Sequence, residues 1–515
     1  MDSRVEQHLN ALGVPNLLDR ISYHYAGFHN DERFFQTIDK ILADNARVLI
    51  HGDPDLDGAF SVKIVEEAFR KVNFSNYEVY RYRSKSHVLE PEAVGFAIKH
   101  HFDYMIILDS SSNDLNNITR LLQFGVTPII LDHHECDFSY ESYPSGCVII
   151  NTELENRLRG EDFYHLSAGA LVFCLISKFL ADKGLPFEDL APFALGTLYS
   201  DCIDMSRDLN RGIYYLATEL PKASLPRWIR IFMKGGNNLL CRRFFEFTLA
   251  PKVNACFRSE NLDVVNSFLF DPLNSDALTR VVARMEEVHK NSRHLVNVAT
   301  DAVERVNLNN LVLANLESAG LPIQANKLYN YTGLIANELS REYNKPAIVY
   351  CDSGEGIKAS FRDLLSRPYR SIFKQFCDAR GHGAAFAIVM SYPELFDFTN
   401  FVKNYVDKKF YILGVKKPIE IECNELSPDY SFLQNVALYN EFSGDELPIM
   451  TLSKKNDLTC RSYVNKYSGE RGYTYTWGNC TLDSSIQLVP GSKIKIKPSL
   501  QYKLKLTVFN TNAIL

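Results

Sequence analysis

Short apolar runs alternate with longer helix-compatible stretches along the first two hundred residues of the chain. Residues 46–50, 104–108 and 126–131 are apolar runs of strand length, and residues 193–200 form a fourth apolar segment. The stretches of helix length between and beside them are residues 61–72, 92–100, 113–124 and 166–182. Alternation of short buried strands with helices is typical of βαβ units, so the pattern predicts an α/β domain with a parallel sheet.

Acidic residues follow each of the four apolar segments, and histidine accompanies them at two of these ends. A single acid after a strand is commonly the N-cap of the next helix, and Asp109 or Asp201 alone would favour that role. Because the carboxyl ends of parallel strands meet at one edge of a sheet, the four ends together favour a metal site. Carboxylates this close would repel one another without a cation. The residues concerned are His51, Asp53, Asp55, Asp57, Asp109, Asp132, His133, His134 and Asp201.

The order and spacing of these residues resemble the motifs of the DHH phosphoesterase superfamily. They read His-x-x-x-Asp-x-Asp, then Asp, then Asp-His-His, then Asp. Three later segments are similar to elements of the RecJ branch of that superfamily: residues 250–258, 358–362 and 380–387. The second motif reads Asp-Ser-Ser at residues 109–111, where that branch usually has Asp-Asn-Gly. The chain therefore resembles a divergent RecJ-like single-stranded-DNA-specific exonuclease.

The resemblance implies two divalent ions bridged by Asp109. Imidazole and carboxylate ligands without thiolate suit Mn²⁺ or Mg²⁺ better than a structural zinc. Two such ions can stabilise the attacking and leaving oxygens of a phosphodiester. The implied ligands are His51, Asp55 and Asp109 for one ion and Asp57, Asp109, His133 and Asp201 for the other, with Asp53 as an alternative or supporting ligand.

Two further residues are implied to act beside the ions. Asp132 would orient a ligating histidine through a hydrogen bond. His134 would contact the scissile phosphate or protonate the leaving oxygen. The alternative for His134 is a structural histidine beside the site.

The later segments imply residues that bind phosphate and the nucleic-acid strand. Arg258, Ser360 and Arg362 match positions similar to a terminal-phosphate pocket, where paired guanidinium donors suit phosphate oxygens. Asn254, in the same element as Arg258, is also expected to bind substrate. The remaining candidates are Arg83, which could equally be an exposed arginine on a strand, and Gly381 with His382, which could equally be loop residues.

The sequence predicts four regions. Residues 1–220 would form the DHH catalytic domain with a helical lead-in, and residues 221–309 an extension that ends in a long helix near 275–306. Residues 310–412 would form a second α/β lobe similar to the DHHA1 domain. Residues 413–515 show alternating apolar positions, which predict β-strands, and the resemblance implies an OB-like domain there. Cations and aromatic residues interleave between residues 461 and 477, and this pattern favours base stacking over sheet packing alone.

Composition excludes few classes of function. The chain has 515 residues, a net charge of −6 and 11 cysteines. The negative net charge gives no indication of nucleic-acid binding, although local basic patches can bind nucleic acid. No apolar run reaches the roughly 20 residues that a membrane helix requires, and the polar N-terminus does not resemble a signal peptide. We expect free thiols, no membrane contact and a cytoplasmic location, in a host cytoplasm if the source is viral.

The favoured interpretation is a metal-dependent phosphodiesterase that degrades single-stranded DNA from its 5′ end. The first alternative is an enzyme that cleaves oligoribonucleotides or cyclic dinucleotides, and the second is a non-catalytic DHH-like scaffold in replication or repair. The C-terminal region and the match at Arg258 and Arg362 favour a polymer substrate. We expect single-stranded DNA, or else RNA, as the main partner, replication or repair proteins as further partners, and a monomer.

Overall fold

The computed structural model describes most of the chain and divides it into two compact units. The first unit contains Met1–Phe257, Leu262–Ala283 and Pro418–Leu515, and the second contains Arg258–Asn261 and Arg284–Lys417. The four-region division expected from the sequence stays a prediction. The described residues are 6–7, 9–10, 14–83, 89, 91–160, 163–232, 240–364, 369–382, 384–410, 420–422, 430–442, 449–453, 459–464, 471–477, 480–484, 493–499 and 504–510.

A five-stranded parallel sheet forms the centre of the first unit. Its strands are β1 (Val48–Gly52), β2 (Tyr77–Val79), β3 (Tyr104–Leu108), β4 (Thr127–Asp132) and β5 (Val148–Asn151). Their order across the sheet is β2-β1-β3-β4-β5, and every neighbouring pair is parallel. This arrangement confirms the predicted α/β fold class. Because β1, β3 and β4 are neighbours, the loops that follow them lie side by side at one edge.

Helices connect these strands and extend the unit. The predicted helical stretches are all present, with bounds shifted by a few residues. The helices up to residue 270 are α1 (Asp31–Ala43), α2 (Leu56–Lys71), α3 (Pro91–Lys99), α4 (Leu115–Gln123), α5 (Thr152–Arg159), α6 (Ala168–Asp182), α7 (Ala191–Ser200), α8 (Asp208–Thr218), α9 (Arg227–Phe232), α10 (Arg242–Phe244), α11 (Ala250–Arg258) and α12 (Leu262–Phe270).

The fourth apolar segment, residues 193–200, lies in helix α7, so its interpretation as a strand was wrong. Pro192 stands in the first turn of α7, where a missing backbone N–H leaves no hydrogen bond unmade. The helix is buried from Ala191 to Tyr199, and a short segment that is apolar on all sides shows no helical period. Asp201 is consequently the C-cap of a helix.

The second unit is built on a six-stranded sheet of mixed direction. Its strands follow the order β10-β11-β9-β8-β7-β6. Along β9 the buried side chains alternate with half-buried Lys358, Ser360 and Arg362, which therefore share one face. The predicted long helix is present as α13 (Ser275–Ala302), and the boundary between the units falls within it. The other elements are β6 (Glu304–Asn307), β7 (Val312–Asn315), α14 (Ala325–Tyr343), β8 (Ala347–Asp352), β9 (Ile357–Arg362), α15 (Arg370–Phe373), β10 (Asp378–His382), β11 (Ala385–Met390), α16 (Glu394–Phe401) and α17 (Asp407–Phe410).

The C-terminal region contains a seven-stranded mixed sheet, which confirms the prediction of a β-rich segment. The strand order is β12-β13-β17-β18-β16-β15-β14. The sequence did not predict α18, the helix that lies between the first two of these strands. The elements are β12 (Glu420–Glu422), α18 (Tyr430–Phe442), β13 (Ile449–Ser453), β14 (Thr459–Val464), β15 (Arg471–Trp477), β16 (Cys480–Ser484), β17 (Lys493–Ser499) and β18 (Leu504–Asn510).

The strand pairing separates the residues that the sequence suggested as a stacking surface. Tyr463 on β14 pairs with Gly472 on β15, so its ring lies on the face opposite to Tyr473 and Tyr475. Tyr475 is 1% exposed and belongs to the core. Lys466 and Tyr467 lie outside the described residues. In the described part of the chain, no helix is both long and apolar enough to cross a membrane.

Candidate metal centre and phosphate pocket

The loop between β1 and α2 brings acidic side chains to the edge of the parallel sheet. Asp55 is the N-cap of α2, and its Oδ1 accepts a hydrogen bond from the backbone N–H of Gly58 at 3.1 Å. A Cβ on Gly58 would lie 2.3 Å from the carbonyl oxygen of Asp53. Residue 58 must therefore be a glycine for the turn at residues 53–58 to close.

Side-chain ligand atoms from four loops converge at this edge. Within each of three overlapping groups, one ligand atom per residue lies within 4.8 Å of the others. Asp109 and His133 each belong to two groups, so the groups form one continuous centre. The groups are Asp53 with Asp55 and Asp109, Asp57 with His133 and Asp201, and Asp109 with His133 and His134.

Asp57 is held by the N-terminus of α6. Its two carboxylate oxygens accept hydrogen bonds from the backbone N–H groups of Ala168 (2.9 Å) and Gly169 (2.7 Å). A helix N-terminus stabilises negative charge. Burial and the nearby charge of Asp201 nevertheless raise the pKa of Asp57. A bound cation would remove this conflict and restore the carboxylate.

His133 lies among three carboxylates. Its Nε2 is 3.2 Å from Oδ1 of Asp109, 3.4 Å from Oδ2 of Asp201 and 3.7 Å from Oδ2 of Asp57. Burial alone would lower the pKa of His133, but the hydrogen bond with Asp201 and the charge of Asp57 raise this pKa to about 9. Without a metal, the proton on this imidazole compensates the surrounding negative charge, as a cation would.

Asp132 fixes both histidines of the Asp-His-His motif. Its Oδ1 accepts a hydrogen bond from the backbone N–H of His133 at 2.7 Å and lies 2.8 Å from Nδ1 of His134. Burial alone would raise the pKa of Asp132, but His134 and these hydrogen bonds bring it well below its usual range. Burial alone would lower the pKa of His134, but the Asp132 carboxylate raises this pKa to about 9. The His134 side chain is 44% exposed, so this oriented imidazole is accessible to a ligand.

His51 lies beside the three ligand groups rather than in one of them. Burial lowers the pKa of His51 to about 4, so its imidazole is neutral near pH 7. Its buried Nδ1 makes no hydrogen bond to any described residue. A neutral imidazole with an unsatisfied ring nitrogen is the form that binds metals. Together with the carboxylate groups, His51 fits a divalent cation at this edge.

The ring of His51 also connects the centre to Arg83. It packs against Tyr80 with 5.6 Å between ring centroids. The guanidinium carbon of Arg83 lies 5.2 Å from the Tyr80 centroid and 5.9 Å from that of Phe96. Arg83 is therefore an exposed arginine on an aromatic surface, and the substrate contact expected of it stays a prediction.

Asn254 supports the acidic loop from α11. Its Oδ1 accepts a hydrogen bond from the backbone N–H of Leu56 at 3.1 Å. Leu56 stands between Asp55 and Asp57 in the sequence. The structure thus gives Asn254 a contact with the candidate ligand loop, and its substrate contact stays a prediction.

Asp109 and Ser111 have left-handed backbone conformations, with φ of 64° and 79°. Residues other than glycine avoid this region because Cβ approaches the next carbonyl oxygen, at a cost of about 1–2 kcal/mol. Strained positions of this kind occur often at functional sites. The Asp-Ser-Ser motif therefore has a serine where a glycine would be unstrained.

We expect Ser111→Gly to raise the free energy of unfolding by about 0.5–1 kcal/mol, because relief of strain exceeds the added unfolded-state entropy of glycine. Urea denaturation in EDTA measures this change. Ser110→Gly is the matched control, since φ of Ser110 is not positive, and it should destabilise the protein. A lower stability for Ser111→Gly would contradict the argument.

The second unit brings together Arg258 and Arg362. Burial lowers the pKa of both guanidinium groups to about 10, and for Arg362 the charge of Arg258 contributes. No carboxylate of the described residues forms an ion pair with either side chain. Two adjacent guanidinium groups without an acidic partner are suited to binding an anion such as phosphate.

Helix α14 completes this pocket with residues that the sequence did not indicate. Oγ1 of Thr332 lies 2.8 Å from Oγ of Ser360. A Cβ on Gly333 would lie 2.7 Å from Nη2 of Arg362, so the missing side chain makes room for the guanidinium. A glycine inside a helix is the one local signal that could have marked this position.

Gly381 and His382 lie on β10, two strands away from β9. Gly381 has a φ of 127°, and a Cβ there would meet the carbonyl oxygen of Ala385 at 2.8 Å. His382 pairs with Ala385, which in turn pairs with Arg362. The side chain of His382 lies outside the described part of the structure. The roles expected of both residues stay predictions.

The sequence also did not indicate two buried polar residues of α8. Nδ2 of Asn210 donates hydrogen bonds to the backbone carbonyls of His165 (2.6 Å), in the loop before α6, and Asp204 (2.9 Å), in the loop after Asp201. Nη1 of Arg211, a residue 3% exposed, donates to backbone carbonyls of the N-terminal lead-in. Polar residues on a helix are normally exposed, so no sequence signal distinguishes them.

Comparison with known proteins agrees with this geometry. Residues 47–197 match the DHH family, N-terminal domain. The chain is 25% identical over 387 residues to the putative SPbeta prophage-derived single-strand DNA-specific exonuclease YorK of Bacillus subtilis, and the match covers 68% of this chain and 62% of YorK. It is 22% identical over 410 residues to the single-stranded-DNA-specific exonuclease RecJ of Haemophilus influenzae, with 74% and 70% covered. Residues 47–197 therefore match a DHH N-terminal domain, and about two thirds of the chain or more is similar to RecJ-like exonucleases at low identity.

Solved structures of RecJ share the fold of this chain. The structure of RecJ from Thermus thermophilus in complex with Mn²⁺ has a TM-score of 0.70 at 14% identity, over 98% of this chain and 75% of that one. A structure of exonuclease RecJ bound to manganese has a TM-score of 0.55 at 16% identity, over 76% and 97%. The present chain spans 62% of the length of the YorK relatives it matches.

Proposed function

We propose that this RecJ-like DHH protein is a metal-dependent phosphodiesterase that degrades single-stranded DNA from the 5′ end. The convergence of carboxylates and imidazoles on Asp109 and His133 carries the proposal. The relatives YorK and RecJ, both named as exonucleases specific for single-stranded DNA, support the substrate class.

The proposed centre holds two Mn²⁺ or Mg²⁺ ions. When bound, the ions would supply the positive charge that stabilises the attacking and leaving oxygens of the phosphodiester. Asp109 is the proposed shared ligand, because it belongs to two of the three groups. His51, Asp53 and Asp55 are proposed to complete one ion site, and Asp57, His133 and Asp201 the other.

Arg258, Ser360 and Arg362 are proposed to bind the terminal phosphate of the strand. Two adjacent guanidinium groups can donate several charge-assisted hydrogen bonds to one phosphate. Such a pocket gives a preference for phosphorylated 5′ ends. Arg83, Asn254, Gly381 and His382 stay candidates for further strand contacts. Repair or replication partners, a monomeric state and a cytoplasmic location stay predictions as well.

The proposal is tested by a time course on single-stranded DNA labelled at either end, with Mn²⁺ or with EDTA. We expect release of mononucleotides from the 5′ end in Mn²⁺ and an intact strand in EDTA. Cleavage of short RNA oligomers or cyclic dinucleotides instead would favour the small-substrate alternative. An absence of cleavage on all of these substrates would favour the scaffold alternative.

We expect His134→Gln to lower kcat by about 10²–10⁴-fold, the usual contribution of a general acid or base. Oδ1 of Asp132 lies 2.8 Å from Nδ1 of His134 and orients the ring, and Nε2 is the proposed atom that protonates the leaving oxygen or contacts the phosphate. Single-turnover rates measure the effect, and calorimetric titration of Mn²⁺ gives the metal affinity. A parallel loss of Mn²⁺ affinity would make His134 a ligand instead. His294→Gln, an exposed position on α13, is the control.

A further inference from the structure

The last residues of helix α18 are anchored beside the end of α7, the helix that Asp201 caps. Oε2 of Glu441 accepts hydrogen bonds from the hydroxyl group of Tyr199 at 2.9 Å and from the backbone N–H of Arg242 at 2.7 Å. Glu441 is 3% exposed and Tyr199 is fully buried. The following residue, Phe442, packs edge-on against Tyr214 with 5.0 Å between centroids.

The side chain of Arg242 also contacts the end of α18 and lies near the ring of Tyr199. Nη1 of Arg242 donates a hydrogen bond to the backbone carbonyl of Asn440 at 3.2 Å, and its guanidinium carbon lies 5.7 Å from the centroid of Tyr199. A buried carboxylate is costly unless donors and positive charge compensate it. Here the hydroxyl group and the backbone N–H donate to Glu441, and the guanidinium group, which forms its ion pair with Glu246 at 3.2 Å, adds positive charge nearby. Glu441 and Arg242 thus both contact Tyr199.

Tyr199 is two residues before Asp201, whose Oδ2 lies 3.4 Å from Nε2 of His133. Asp201 occupies the C-terminal end of α7, and the negative end of the helix dipole disfavours a carboxylate there. The next residue, Cys202, has a left-handed φ of 54°, a conformation that is unfavourable for cysteine. Ser200 Oγ donates a hydrogen bond to Oδ1 of Asp201 at 3.0 Å, so the carboxylate is held within the last turn of α7. The position of that turn depends in part on the buried ring of Tyr199.

We propose that Glu441 is a positioning residue for Asp201, acting through Tyr199 on the last turn of α7. The C-terminal region then determines how well the protein binds the ion assigned to Asp57, His133 and Asp201. This inference rests on the proposed function, because it requires a divalent-ion centre at these residues. It also gives the C-terminal region a role at the metal centre in addition to any contact with nucleic acid.

The test is calorimetric titration of the full-length chain with Mn²⁺ alone. Asp201→Asn identifies the binding step that depends on Asp201. Tyr199→Phe removes one hydroxyl group and keeps the ring, while Glu441→Ala removes the acceptor of both hydrogen bonds. We expect each to weaken that same step by about tenfold, at the low end for residues that support a ligand. The remaining binding should change by less than about twofold.

Two further variants separate positioning from general stability. Glu441→Gln keeps an amide oxygen that can accept both hydrogen bonds, so it should restore affinity relative to Glu441→Ala. Tyr215→Phe removes a hydroxyl group from a half-buried tyrosine that also packs against Phe442, with 5.9 Å between ring centroids, and it should bind Mn²⁺ like the wild type. If Glu441→Ala does not fold, Tyr199→Phe carries the test.

The outcomes distinguish this inference from the proposed function. Wild-type binding of Mn²⁺ with unchanged affinity in Tyr199→Phe and Glu441→Ala would overturn the positioning role and leave the metal centre standing. Equal weakening of every binding step, without restoration by Glu441→Gln, would also overturn it, since a loss of general stability explains that pattern. Absence of Mn²⁺ binding by the wild type would overturn the proposed metal centre itself.

Discussion

Replacement of Asp109 by asparagine is expected to reduce hydrolysis of single-stranded DNA by more than about 100-fold, the upper range for residues that only support a ligand. Asp109 contributes to two of the three ligand groups, so the substitution weakens both proposed ion sites. Asparagine keeps the shape of the side chain and tolerates the left-handed φ of 64° at this position. The effect is measured as the initial rate on a 5′-phosphorylated strand over a range of Mn²⁺ concentrations.

The same substitution should not destabilise the metal-free protein. Burial and the charge of Asp57 raise the pKa of Asp109, so a carboxylate at this position is unfavourable without a cation. We therefore expect the free energy of unfolding in EDTA to be unchanged or higher in Asp109→Asn. A loss of stability together with the loss of activity would indicate a structural residue rather than a ligand.

Asp114→Asn is the matched control for this experiment. Asp114 is the N-cap of α4, and its Oδ1 accepts a hydrogen bond from the backbone N–H of Asn117. Asparagine caps helices about as well as aspartate, so both activity and stability should stay near the wild-type values. A near-native rate for Asp109→Asn would contradict the assignment of the centre to this edge of the sheet.

The convergence of the acidic motifs could be predicted from the sequence because parallel strands impose it. Once residues 48–52, 104–108 and 127–132 pair in parallel, the residues that follow them must lie at one edge. Asp201 was placed at the same edge by an incorrect argument. It follows a buried helix rather than a strand, and a short apolar segment gives the two structures the same appearance in the sequence.

Contacts between distant segments could not be predicted. Asn254 binds the backbone of Leu56, 198 residues away, and Glu441 binds Tyr199, 242 residues away. Neither contact leaves a local pattern, because hydrogen bonds to backbone groups or to a single hydroxyl group do not require a particular neighbouring sequence. Gly333 is marked only by its position inside helix α14, where a side chain would collide with the guanidinium group of Arg362 on β9.

The second large effect concerns the proposed phosphate pocket, where Arg362→Met should remove the proposed preference for a 5′-phosphate. Hydrogen bonds to charged groups contribute about 1.5–3 kcal/mol, so the ratio of affinities for 5′-phosphorylated and 5′-hydroxyl strands should fall by about 10- to 100-fold. Methionine keeps the length and apolar stem of the side chain but removes its charge and donors. The ratio is measured by equilibrium binding in Ca²⁺ or EDTA, and affinity for the 5′-hydroxyl strand should change little.

Stability distinguishes a pocket of this kind from a structural arginine. Burial and the charge of Arg258 lower the pKa of Arg362, so the free protein holds two adjacent positive charges at a cost that a bound phosphate would offset. Arg362→Met should therefore leave the free energy of unfolding unchanged or raise it, while Gly333→Ala should displace the guanidinium and weaken the preference without removing the charge. Arg341→Ala, an exposed arginine paired with Glu338 in the same unit, is the control. Equal weakening of both strands by Arg362→Met would place the terminal-phosphate contact elsewhere.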